Sequence, residues 1–353
     1  MLGGSAKRVL YCWCKGLLQE GCEVTVLTLF RNKDLEHDLP EGTRLVYEKV
    51  IKDIRKFPTF RDLVIKDMLH GNVSSKMARF ARKYKEPDFY ILMDDYALSI
   101  SKWSFKAPLG YYCQGLPQTL GFTLLPSFLQ RFPKLLQLPL RTFSVPLSLK
   151  VLENIRKFDF VLANSKYTAE ILHYFTGIYP KIIHQPIDTE LFKPERSKGV
   201  VEKYLLAYGD GSDKEILEEI ATNYPVKNIG KSRIRHAENV GWVSSIEVLR
   251  QLYSDAFMTV FPQLEEPFGF IPVESMACGT PVLAYNSQGP SETIRNGVTG
   301  WLADTADEFR ELLKDIWING YPQKMRSLCR EHVVSKFSTR ISAKALLDYL
   351  NHV

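Results

Sequence analysis

Glu266 and Glu274 stand with seven residues between them in the run Phe261–Gly300, FPQLEEPFGFIPVESMACGTPVLAYNSQGPSETIRNGVTG. Pro267, Phe268 and Gly269 close a loop, and a helix is expected from about Phe270. That arrangement puts Glu266 at the edge of a cleft and Glu274 about one turn into the helix. The backbone N–H groups of Gly269, Phe270 and Ile271 then face whatever anion binds at the helix tip, because the first N–H groups of a helix have no partner within it. Two hydroxyl acceptors flanking a phosphate-grade donor cluster suit a nucleotide-diphosphate sugar. Two glutamates at this spacing arise often by chance, so the weight falls on the residues around and after them.

Ala277-Cys278-Gly279-Thr280-Pro281-Val282 has the form of a helix, a C-cap glycine, a turn and a buried strand. Gly289-Pro290-Ser291-Glu292 opens a second short helix, and Asn296–Gly300 turns into a small strand. In order and spacing this run resembles the E-x7-E region of retaining glycosyltransferases of family 4, which have the GT-B fold. The resemblance implies an α/β architecture of two Rossmann-like doubly wound domains facing across a cleft. It implies that Glu266 contacts the transferred sugar near the reacting carbon and that Glu274 accepts hydrogen bonds from the ribose hydroxyls. It further implies retention of anomeric configuration by a front-side route, in which the leaving phosphate takes the acceptor's proton, with no metal or other cofactor.

Three other motifs extend the resemblance. Gly3 and Gly4 match a glycine-rich loop that faces the donor diphosphate, since glycine lets a backbone approach phosphate closely. In relatives that loop follows a central strand, which is missing ahead of Gly3; a sequence truncated upstream and a sheet with a gap are the two readings, and truncation is favoured. Tyr208–Lys214, YGDGSDK, stands where relatives carry a Gly-Arg pair and then a lysine, two cations that clamp the diphosphate. Lys214 matches, but Asp210 sits in the arginine's place, where a carboxylate repels phosphate. Lys231, Arg233 or Arg235 could restore the charge. Gln114 ends a first-domain strand where relatives often have histidine; it can position the donor sugar but cannot titrate. At Asn164-Ser165 the expected task is structural, a helix cap.

These residues need a scaffold. Strands are expected at 22–30, 44–50, 88–94, 109–113, 158–164 and 181–184, and helices at 6–19, 60–84, 147–156 and 168–174. Most of the strands are near-continuous apolar runs, as in a parallel sheet covered on both faces. Texture changes at 186–203. A second α/β set comes next: strands at 204–208, 226–229 and 257–261, helices at 215–223 and 248–254, and tail helices over 325–349 broken near Phe337-Ser338. The domains are therefore expected at 1–190 (acceptor side), 191–330 (nucleotide-sugar side) and 331–353 (a helix returning to the first domain).

A chain of 353 residues with 45% hydrophobic and 24% charged residues has material for two cores. Its net charge of +6 fits an anionic substrate or membrane surface. Six scattered cysteines show no paired metal spacing and suit a reducing, cytoplasmic setting. From Tyr96 through Leu152 there is no Asp or Glu, while basic and large apolar residues crowd the stretch, including Phe122, Leu125, Phe128, Arg131, Phe132 and Lys134. Prolines break it into pieces too short to cross a bilayer. Residues 116–146 are expected to form an insertion that touches anionic lipid at the inner face of the membrane, on the side where the acceptor arrives; a buried insertion or a partner-protein surface are the alternatives. The leading expectation is transfer of a hexose, mannosyl or glucosyl, to a glycan or lipid-linked acceptor, with no nucleic acid involved. A non-catalytic subunit of the same fold, which recruits an active partner, is the alternative that Asp210 and Gln114 favour. An epimerase or phosphorylase is a third reading that the acid-free stretch opposes.

Overall fold

A computed structural model describes residues 5–28, 38–47, 75–83, 87–93, 95–115, 149–195 and 203–353. Contacts divide the chain into two compact units. One holds 1–24, 34–43 and 184–349, the other 25–33, 44–183 and 350–353.

The first unit is built on six parallel strands: β7 (Leu205–Tyr208), β8 (Val226–Ile229), β9 (Glu238–Gly241), β10 (Met258–Phe261), β11 (Val282–Tyr285) and β12 (Gly300–Ala303). Their order across the sheet is β12-β11-β10-β7-β8-β9. Alternate residues serve opposite faces, the period of two inherent in a strand. Leu206, Phe261, Val282 and Ala284 join one core with α4 (Ile246–Asp255), α5 (Phe270–Ala277) and α8 (Lys324–Phe337). Leu205, Ala207, Met258, Val260 and Leu283 join the other with α3 (Lys214–Asn223) and α7 (Ala306–Asn319). Covering both faces is what makes β7, β10 and β11 read as near-continuous apolar runs. β9 is the exception. It lies at the sheet edge with alternating exposed and half-buried residues, and nothing in Glu238-Asn239-Val240-Gly241 announced it.

The second unit contains parallel strands in two sets. β1 (Thr25–Thr28) pairs with β2 (Arg44–Tyr47), and β3 (Tyr90–Leu92), β4 (Leu109–Cys113), β5 (Phe160–Ala163) and β6 (Lys181–Ile182) form a four-stranded sheet in that order. Tyr111, Cys113, Val161, Ile155 and Leu172 pack as its core. Helix α2 (Lys166–Thr176) follows β5, and Ser165 caps it: Oγ accepts the Thr168 N–H at 3.1 Å, while Gly177 closes the far end at φ 74°. Ser165→Ala is expected to cost about 1 kcal/mol, read as a lowered melting midpoint.

Helix α1 (Ser5–Gln19) groups with the first unit rather than with the strands that follow it in sequence. Its partner is α9 (Thr339–Leu350). A Cβ on Gly16 would sit 2.4 Å from the Thr339 carbonyl oxygen, so only glycine permits this approach. Thr339 Oγ1 donates to Gln19 Oε1 at 3.0 Å, and Arg340 Nε to Glu20 Oε1 at 2.8 Å. The boundary expected at 190 likewise falls earlier, between Ile183 and His184. The cause is visible: Ile187 N–H bonds the Phe337 carbonyl at 2.7 Å, and Arg330 donates to the carbonyls of Thr189 and Phe192.

None of the six cysteines is in a disulfide, and all but Cys22 are buried. Among the described residues no helix is long and apolar enough to cross a membrane.

Candidate functional site

In a doubly wound sheet the crevice for a ligand opens at the C-terminal ends of the strands, where the order of winding reverses. Here the reversal lies between β7 and β10, which pair directly. The chain leaving β7 is Gly209–Asp213, and the chain leaving β10 is Pro262–Gly269. They are tied to each other: Asp213 N–H bonds the Pro262 carbonyl at 2.8 Å, and Gln263 Nε2 the Asp210 carbonyl at 2.7 Å. Glu266, Asp210 and Lys214 are thus brought to one end of one sheet.

Glu266 is held by its own loop. Its Oε1 accepts the N–H groups of Phe268 at 3.3 Å and Gly269 at 3.0 Å. Burial raises its pKa above the ordinary glutamate value, and these two bonds oppose the rise. The Gly269 N–H expected to face a bound anion is therefore engaged by the protein's own carboxylate. Phe270 and Ile271 follow as the first residues of α5, and Gly269 enters it at φ 92°, ψ 61°. The loop is also pinned from α6 (Gln288–Thr293), where the Gly289 N–H donates to the Glu266 carbonyl at 2.9 Å. A Cβ on Gly289 would lie 2.3 Å from the Phe268 carbonyl carbon. Gly289→Ala must therefore shift the loop that aims Glu266. Any activity that depends on Glu266 is expected to fall about 10- to 100-fold, with circular dichroism as the folding control, since a small misplacement costs that much in an oriented site.

Glu274 is wholly buried on α5. Tyr253 Oη donates to its Oε2 at 3.2 Å, and Arg8 Nη1 lies 2.8 Å from its Oε1. Burial raises the Glu274 pKa, and Arg8 and Tyr253 work against that rise. Beside the pair lies a small cavity that Cys12, Asp188, Ile246 and Phe270 help to line. Farther along α1, Lys15 Nζ meets Asp188 Oδ2 at 2.6 Å. Sequence reasoning found neither Arg8 nor Lys15. The available hint was a first turn of α1 with basic residues and no acid.

Asp210 has a task of its own. Its carboxylate accepts the N–H groups of Lys231, at 2.9 and 3.1 Å, and of Ser232 at 2.7 Å. Burial pushes its pKa up, but these bonds outweigh that and leave it below the usual aspartate value. Lys214 begins α3 behind its cap Asp213 and extends to Glu218, 3.7 Å away, with most of its side chain in solvent. Lys231 Nζ lies over the Trp242 ring, 5.6 Å from its centre. In the other unit, Gln114 follows β4; its Nε2 donates to the Met93 carbonyl at 3.1 Å, and Asn164 Nδ2 donates to its carbonyl at 2.8 Å. Gly3, Gly4 and the six residues assigned to membrane or acceptor, Phe122, Leu125, Phe128, Arg131, Phe132 and Lys134, lie outside the described residues.

A parallel doubly wound sheet with paired carboxylates on the loop and helix after β10 is the arrangement expected of the second domain of a GT-B glycosyltransferase. Residues 3–191 match the sequence profile of glycosyltransferase family 4, and residues 202–332 that of glycosyl transferases group 1. The chain belongs to glycosyltransferase family 4.

Among its relatives, alpha-1,3/1,6-mannosyltransferase alg-2 of Neurospora crassa is 46% identical over 104 residues, 29% of this chain and 22% of that protein. The lipopolysaccharide core biosynthesis glycosyltransferase LpsE of Rhizobium meliloti is 29% identical over 150 residues, 42% of this chain and 41% of LpsE. These matches span between a fifth and two fifths of the relatives' lengths. The fold is shared with Anabaena HepE, solved with UDP and glucose, at a TM-score of 0.69 and 17% identity over 99% of this chain and 96% of HepE. Sucrose-phosphate synthase of Thermosynechococcus elongatus superposes at a TM-score of 0.72 with 15% identity, over 99% and 93% of the two chains.

Proposed function

We propose that this chain transfers a hexosyl group from a nucleotide-diphosphate sugar to a membrane-associated acceptor, glycan or lipid-linked, with retention of anomeric configuration. The observation that carries the reading is the placement of the Glu266 loop and of α5 at the point where the sheet reverses its winding, the position at which this class of fold receives nucleotides. Mannosyl and glucosyl donors are favoured, in line with the mannosyltransferase relatives and with the glucose bound in HepE.

In this reading Glu266 orients the transferred sugar and Glu274 receives the ribose hydroxyls. Lys214, Lys231, Gly3, Gly4 and the N–H groups that open α5 are assigned to the diphosphate. Gln114 is assigned to positioning the sugar. The leaving phosphate takes the acceptor's proton, so the protein acts mainly by orientation and by stabilising diphosphate charge, and no metal enters the scheme. The 116–146 segment brings the chain to the anionic inner face of the membrane, where the acceptor resides.

The experiment is a thermal-shift panel of UDP, GDP, ADP and their glucose and mannose conjugates, followed by a transfer assay with the donor that binds. A bound ligand raises the melting midpoint according to its affinity. No shift with any nucleotide would sink the proposal. Liposome flotation with and without residues 122–143 tests the membrane arm, and unchanged flotation would refute it.

One observation favours a second reading, a non-catalytic subunit that recruits an active transferase. Asp210 stands where a phosphate-binding cation is expected and is spent on the amides of Lys231 and Ser232. Nucleotide binding without transfer or donor hydrolysis would select it.

A further inference from the structure

Arg8 gains a role of its own if the chain binds a nucleotide-sugar donor as proposed. The first turn of α1 contains Arg8 and no acidic residue. A cation there opposes the positive end of the helix dipole, so it needs an anion to hold it. Glu274 supplies that anion through a single contact, Nη1 to Oε1 at 2.8 Å. Arg8 Nε is buried without a hydrogen-bond partner, although the guanidinium is built to present two parallel donors to one planar anion. The pairing is therefore incomplete on the arginine side.

On the glutamate side the carboxylate is closed to solvent, though Oε1 likewise has no hydrogen-bond partner. Oε2 receives Tyr253, Oε1 faces Arg8, and Glu274 is 0% exposed. A ribose diol cannot reach this carboxylate while Arg8 keeps its place. Meanwhile the loop after β7, Gly209–Asp213, holds no cation, and the positive charge beyond it comes from Lys214 and from Lys231, Arg233 and Arg235 after β8. Asp210 occupies the expected cation position, and the Lys214 side chain is 62% exposed beside Glu218.

We infer that Arg8 is a cation with two alternative partners: Glu274 in the free protein, and the diphosphate of the donor once a nucleotide enters. The exchange conserves charge pairing. A diphosphate gives the guanidinium the bidentate contact that Glu274 does not, and the released Glu274 becomes available to the ribose hydroxyls. A nucleoside without phosphate must displace Arg8 and offers it nothing in return. Arg8 is thus a specificity-determining residue that opens the ribose site only to phosphorylated ligands.

Calorimetric titration with UDP and uridine, and in parallel with GDP and guanosine, tests this. Arg8→Met is expected to weaken the diphosphate about 10- to 100-fold, the range for loss of one charge-assisted contact, and to leave the nucleoside unchanged or tighter. The diphosphate-to-nucleoside preference then collapses at least about tenfold. Arg8→Lys keeps the charge without the fork and should recover part of the preference.

Equal weakening of both ligands would make Arg8 a structural clamp. Equal tightening would make it a plug. Either result overturns the inference. Since Arg8→Met leaves Glu274 buried without its cation, the same preference is also compared between Glu274→Gln and Arg8→Met/Glu274→Gln, where no unpaired carboxylate remains; an unchanged preference there overturns the inference as well. A wild-type chain that binds no diphosphate would remove the donor-binding reading itself, an outcome distinct from binding with an Arg8-independent preference.

Discussion

Glu266→Ala is expected to lower sugar transfer about 100- to 1,000-fold while changing nucleotide diphosphate affinity no more than about threefold. The first figure is the usual cost of removing one positioned polar group that acts on the transition state. The second comes from location, because the side chain is assigned to the transferred sugar and not to the nucleotide. A complication is structural: the Glu266 carboxylate also accepts the Phe268 and Gly269 N–H groups. Losing such a cap costs about 1 kcal/mol on its own.

Glu266→Gln separates the two effects. Glutamine keeps an oxygen for those amides but loses the charge, so the melting midpoint should hold while transfer still falls. The wild-type rate should also drop on acidification at a pH above the ordinary glutamate range, since burial raises the Glu266 pKa and protonation removes the charge. The glutamine variant should lack that limb. Transfer by Glu266→Gln within twofold of wild type would end the proposed mechanism.

Arg326→Met is expected to destabilise the first unit by about 3–5 kcal/mol, the range for stripping a partner from buried polar groups. Arg326 is 6% exposed and reaches the end of α4, donating to the carbonyls of Ser254 at 2.8 Å and Ala256 at 3.0 Å. It also contacts Thr280 Oγ1 and Tyr321 Oη. A cation at a helix C-terminus is favoured by the dipole, and each carbonyl it serves would otherwise be buried without a donor. Methionine fills similar volume and serves neither.

At about 2–4 °C per kcal/mol for a domain of this size, the melting midpoint should fall by roughly 6–20 °C. Arg326→Lys should fall between the two, because one ammonium cannot span both carbonyls. A midpoint for Arg326→Met within about 2 °C of wild type would show that water or a neighbour satisfies those carbonyls.

Much of the scaffold is legible in the sequence. β4 and β8 lie at the residues expected of them, and α3, α4 and α5 begin within about two residues of expectation. The break between α8 and α9 falls at Ser338, beside the Phe337-Ser338 pair. These elements are local: strands buried on both faces and capped amphipathic helices leave their signature within ten residues. Helix α7 carries such a signature in Thr305, Asp307 and Glu308, which sequence reasoning missed. The edge strand β9 has none, since its pairing with β8 draws on backbone groups that every residue shares.

Residue order alone was enough for the parallel α/β architecture, the family, and the two carboxylates with seven residues between them, one in a loop and one about a turn into the helix. Each depends on residues near one another in the chain, where spacing and residue type carry the physics. Tertiary structure alone decided what those groups are bonded to. Asp210 reads as a missing cation and serves as the anchor for the Lys231 and Ser232 amides. Glu274 reads as an open acceptor and is shut in by Arg8 and Tyr253. Burial drives most polar groups to find a partner, and that partner is chosen by how distant segments pack, which no local pattern records.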